Sequence, residues 1–111
     1  MLREVKALAE GPIAESFVDA DRNPPVFDPA THTVTLPESF KKSYKSYIDA
    51  GWGMLDAPVE LDGMKVPPSV RWSLAELVCG ANPAVHMFSA SYALASLLYF
   101  MGNDEQKKLA K

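Results

Sequence analysis

The sequence predicts an all-α fold, a small helical bundle carrying one short β-hairpin. Three observations carry that expectation. Apolar residues recur at helical spacing over residues 2–9, 40–48, 70–81 and 83–102. Prolines sit at the starts of the last three runs, and glycines lie just past the ends of the first, second and fourth. Only residues 26–35 change period, to a short β-branched text broken by a turn. With 111 residues, 48% of them hydrophobic, the chain has material for one domain, residues 1–111, and one core.

Leu2, Val5, Leu8 and Ala9 make the first amphipathic face. Gly11-Pro12 then predicts a kink, because proline lacks the N–H of a helix hydrogen bond and its ring clashes with the carbonyl four residues back. The helix resumes through Ile13 and Phe17 and ends before Pro24-Pro25. Val26-Phe27, a turn over residues 28–31 opened by Asp28-Pro29, and Thr33-Val34-Thr35 predict a hairpin. So small a ribbon is expected to lie on a helix.

Pro37 opens the next helix, with Glu38 in its first turn, Phe40, Tyr44, Tyr47 and Ile48 on its apolar side and Gly51 past its end. Lys41, Lys42 and Lys45 fall elsewhere and make a solvated face. The connection over residues 51–68 is punctuated by Gly and Pro, and Trp52 is expected to anchor it to the core. A helix follows to Ala81, burying Val70, Leu74, Leu77, Val78 and Ala81, with Glu76 a surface carboxylate.

Everything is organised around the next run, residues 83–102, which contains no Asp, Glu, Lys or Arg. It reads as one helix, apolar nearly all round, packed against its predecessor as a sharp hairpin or bent pair. Such a helix needs walls, either lipid or protein. Ser89, Ser91, Ser96, His86 and the tyrosines at 92 and 99 dilute it, and no Lys or Arg flanks it closely, so a bundle core is expected and not a membrane span. Asn103-Asp104-Glu105-Gln106 then forms a capping box, announcing a last helix that meets Lys111 within two turns and looks cut off.

The net charge of −3 and the lack of a basic stripe argue against a nucleic-acid partner. Cys79, the single cysteine, excludes an intrachain disulfide and fits a cytoplasmic location. The charges in the first twelve residues are unlike a secretory leader. His32 and His86 have no carboxylate or cysteine at ligand spacing, Cys79 has no base partner, and no phosphate loop or nucleophile motif occurs. No catalytic, cofactor-binding or metal-binding residue is therefore nominated.

Taken together, DRNPPVFDPATHTVTLPESFKKSY (21–44), Gly51-Trp52, PVELDG (58–63), SLAELVCGANPA (73–84) and MGNDEQKKLA (101–110) resemble the N-terminal helical domain of the acyl-CoA dehydrogenases, in particular their long-chain bacterial branch. The resemblance implies an FAD enzyme that removes hydrogens from the α and β carbons of an acyl-CoA in fatty-acid oxidation, built as a homo-oligomer from this domain, a β domain and a C-terminal four-helix domain. It puts the catalytic Glu and the main flavin contacts in the other two domains, so this chain alone is expected to bind no FAD and to turn nothing over. It also implies that the 83–102 helix lines the acyl-tail end of the substrate tunnel, with Val85, Phe88, Ser89, Tyr92 and Ala93 near the tail. Three positions depart from the pattern: Asp62 stands where relatives commonly have Gly, Phe100-Met101 where a His is frequent, and Tyr92 where smaller residues are usual, which would narrow the tunnel. The alternative is a non-enzymatic helical module that binds an acyl chain or a partner protein through its apolar surface.

Overall fold

In a computed structural model, which describes residues 1–110, the first amphipathic stretch folds as α1 (Leu2–Leu8). The expected kink follows. A wide turn over Ala9–Ile13 contains Pro12 and puts Gly11 outside the helical region, at φ −109°, ψ −106°. After one tight turn the chain continues as α2 (Phe17–Arg22). The disturbed backbone is not left unpaired: Ser43 Oγ donates to the Pro12 carbonyl at 2.7 Å, and Asn82 Nδ2 donates to the Ile13 carbonyl at 3.1 Å. The kink is thereby docked on the two helices it crosses.

Strands β1 (Val26–Asp28) and β2 (Thr33–Thr35) pair antiparallel, with Val26 opposite Thr35, Phe27 opposite Val34 and Asp28 opposite Thr33. Asp28 builds the turn: its carboxylate accepts from the Ala30 N–H at 2.9 Å and from Thr31 Oγ1 at 2.8 Å. The turn runs one residue further than expected, to His32 in the left-handed region at φ 54°. The expectation that the ribbon lies on a helix is not met within these residues. Val26, Phe27 and Val34 are all exposed, and the hydrogen bonds of Asp28 define the hairpin without burial.

Helix α3 (Glu38–Asp49) buries Phe40 and Tyr47 and packs Tyr44 and Ile48 beside them. Gly51, at φ 73°, turns the chain out of it. Lys41 pairs with Glu38 at 2.6 Å, Lys42 with Glu15 at 3.4 Å and Lys45 with Asp49 at 2.7 Å, so the solvated lysine face is neutralised locally. The connection contains single turns at Trp52–Leu55 and Val59–Leu61, closed by the Met64 N–H on the Met54 carbonyl at 2.9 Å. Trp52 packs against the core as expected.

Helix α4 (Pro68–Ala81) buries Leu74 and Val78 and half-buries Val70, Leu77 and Ala81. Asn82, extended at φ −160°, turns the chain into α5 (Pro83–Phe88), giving the bent pair. Val5, Ile13, Phe40, Tyr47, Leu55, Leu74, Val78 and Val85 close the core between α1, the kink, α3, α4 and α5.

The apolar run departs from expectation twice. It is not one uninterrupted helix: α5 gives way at Ser89-Ala90 to α6 (Ser91–Met101). There the Ala90 N–H bonds three residues back to Met87 at 3.2 Å, and Ser89 Oγ donates to the His86 carbonyl at 2.6 Å. A serine hydroxyl competing for a backbone acceptor favours such a tightened turn. Nor does the run form the bundle core. No residue of α6 is buried, and Met87, Leu94, Leu97, Phe100 and Met101 are exposed by 54 to 80%. These residues supply a wall on one side of the run only. Its last turn meets α7 (Asp104–Leu109), where the capping box forms as expected: Gln106 N–H to Asn103 Oδ1 at 3.0 Å and Asn103 N–H to Gln106 Oε1 at 2.9 Å.

The molecule measures 42 × 40 × 18 Å with a radius of gyration of 15.4 Å. A compact chain of this length has one near 13 Å. The excess belongs to an open, slab-like shape from which hairpin and α6 project.

Candidate functional site on the apolar run

The five residues expected near an acyl tail lie on α5, α6 and the turn between them, and the structure does not gather them on one surface. Val85 is fully buried in the core and Ser89 is 3% exposed. Tyr92 is half-buried, its ring lying over Gly53, and Ala93 is exposed. Phe88 is 47% exposed and edges onto Phe40 and Tyr44, with ring centroids 5.0 and 5.8 Å away. Tyr44 Oη donates to the Phe88 carbonyl at 3.3 Å, fixing the end of α5 against α3.

Beside Phe88 a cavity of about 80 Å³ opens under the hairpin's base, lined by Pro25, Leu36, Phe40 and Ala84 among others. It is apolar, so it suits hydrocarbon better than water. A second cavity, about 20 Å³, lies between Tyr47, Trp52, Asp56, Arg71 and His86 and has room for about one water. Burial pushes the Tyr47 phenol above its ordinary value, opposed by hydrogen bonding with Ser89. Asp56 is paired with Arg71.

A buried polar hub went unrecognised in the sequence. Asn82, 1% exposed, donates to Ile13 O and to Ser16 Oγ at 3.0 Å, and its Oδ1 accepts from the Val85 N–H at 3.4 Å. Asn immediately before a Pro at a helix start is the signal that could have found it. Ser16 and Ser43, also buried, had no such signal.

Among the described residues, no group of three or more His, Cys, Asp or Glu side chains could hold a metal, and no buried side-chain nitrogen or oxygen lacks a partner. The buried side-chain donors and acceptors of these residues are thus committed to the fold itself. What the outer face of the run offers a ligand is shaped apolar surface.

No family model matches the sequence. Broad-specificity linear acyl-CoA dehydrogenase FadE5 of Mycobacterium tuberculosis is 56% identical over 110 residues, 99% of this chain. 3-Methylmercaptopropionyl-CoA dehydrogenase of Ruegeria pomeroyi is 32% identical over 75 residues, 67% of the chain. The chain spans 18% and 13% of the lengths of these two relatives. Identity sustained from one end of the chain to the other, with the expected helices, hairpin and capping box in order, means that the chain belongs to the acyl-CoA dehydrogenase family.

Proposed function

We propose that the chain is the N-terminal helical part of an FAD-dependent acyl-CoA dehydrogenase and forms the acyl-tail end of its substrate pocket. The observation that carries this reading is the apolar face of α5 and α6, left in water in a chain that matches 18% of a dehydrogenase. An aliphatic tail and further domains are both apolar enough to cover it. Phe88 and Ala93 meet the tail directly, Tyr92 flanks it, and Val85 and Ser89 fix the backbone from behind.

When bound in the complete enzyme, FAD accepts the hydrogen removed from the acyl chain as hydride. This chain's own contribution is to hold the tail and exclude water from it. Flavin contacts, the catalytic base and subunit contacts are left to the rest of a homo-oligomer, and the chain by itself is inactive.

Pro83–Met101 is long and apolar enough to cross a bilayer by length and composition alone. We favour protein and substrate as its surroundings, because the run kinks at Ser89-Ala90 and Ser96 Oγ is tied to the Asp56 carbonyl at 3.0 Å. An exposed, unpaired Cys79 fits a cytoplasmic location.

The test is Ala93→Trp in the enzyme that carries this chain, measured on a saturated series from butyryl-CoA to palmitoyl-CoA. Lost room at the tail end raises KM for the longest substrates by about tenfold and spares the shortest. An unchanged chain-length profile contradicts the tail-end role. A yellow, acyl-CoA-oxidising preparation of the 111 residues alone contradicts the division of labour.

A further inference from the structure

We propose, resting on the tail-end reading above, that Gly53 and Tyr92 act as a pair that sets acyl-chain length: the glycine gives the tyrosine ring a berth off the tail side of its helix. A Cβ on Gly53 would stand 2.3 Å from Tyr92 Cε2 and 2.6 Å from Cδ2, well inside any van der Waals contact. The ring rests there only because position 53 has no side chain.

The turn that holds Gly53 is firmly tied. Its carbonyl accepts from the Asp56 N–H at 3.0 Å, and the neighbouring Met54 carbonyl accepts from Met64. The Asp56 carbonyl accepts from Ser96 Oγ at 3.0 Å, and the Asp56 carboxylate pairs with Arg71 on α4. Gly53 and Leu55 are themselves buried. Against so fixed a backbone, the tyrosine side chain is the part that moves.

A helical residue has two χ1 wells free of clash with the preceding turn, so a ring expelled from one takes the other. From there it crosses the exposed surface of the run toward Phe88, four residues back. Tyr92 therefore does not narrow the tail end while Gly53 is present, although its size alone suggests that it would. It becomes an obstruction when position 53 gains a methyl group.

The experiment measures steady-state kinetics in the enzyme that carries this chain, on the same series from butyryl-CoA to palmitoyl-CoA. Gly53→Ala is expected to raise KM for the longest substrates about tenfold, with kcat and the butyryl-CoA KM unchanged. Adding Tyr92→Ala is expected to return the long-chain KM to its starting value, which a general loss of fold would not allow. An equal loss on short and long substrates, no change with Gly53→Ala, or no rescue by Tyr92→Ala overturns the pair. Ala93→Trp separates the two levels: if it shifts the profile and Gly53→Ala does not, only the pair falls, and if neither shifts it, the tail-end reading falls as well.

Discussion

Asn82 shows how one side chain joins elements far apart in sequence. Its amide bonds the kink's Ile13 carbonyl and Ser16, and its oxygen caps α5, all out of water. Removing it leaves buried groups unpaired, so Asn82→Ala is expected to cost about 2–3 kcal/mol, read as a lower midpoint in chemical unfolding. Asp62 illustrates the opposite case. It occupies the left-handed region at φ 59° with an exposed side chain. A glycine there removes the steric penalty of a Cβ, and Asp62→Gly is expected to raise stability by about 1 kcal/mol. The departure from the family's loop was legible in the sequence, and the backbone angle makes it a cost. Asp28 gives a pH dependence. Hydrogen bonds from Thr31 and the Ala30 N–H hold its carboxyl below the ordinary 3.8. A folded-state value lowered in this way means the contribution is fully present above 3.8 and is lost as pH falls through the folded value. The Ala30 amide shift is expected to titrate below 3.8; titration at or above it would contradict the turn.

At the scale of elements, local signals were read well wherever they were self-contained. The Gly11-Pro12 kink, the end of α4 at Ala81 and the Asn103–Gln106 box all follow from the chemistry of one or two residues. The box is expected to hold α7: Asn103→Ala, which removes one of its two bonds, should cost about 1 kcal/mol and speed amide exchange over residues 104–109. The Ser89-Ala90 break was missed because a serine's choice between helix and local bonding depends on what surrounds it. The hairpin was read as two short strands about a turn opened by Asp28, but the turn runs one residue further and the expected helical support is not there. All five tail residues could be placed on the run from the resemblance, yet only the fold tells that Val85 and Ser89 face inward. Gly53 was invisible as a partner for Tyr92, since nothing local connects residues so far apart.

The whole molecule is defined by unequal coverage. One side of α5 and α6 rests on α3, α4 and the turn at Gly53; the other carries Met87, Leu94, Leu97 and Met101 into solvent. Each such side chain forgoes up to about 1.5–3 kcal/mol of burial, which any protein wall covering this face would recover. A chain of this design, purified alone, is expected to bind hydrophobic dye and to associate with itself, and Leu94→Glu/Leu97→Glu/Met101→Glu is expected to abolish both. Light scattering with dye fluorescence on the 111 residues is the most direct measurement. Concentration-dependent association with bright dye, reversed by the three substitutions, is the expected outcome. A dye-free monomer with a sharp cooperative melt would contradict it.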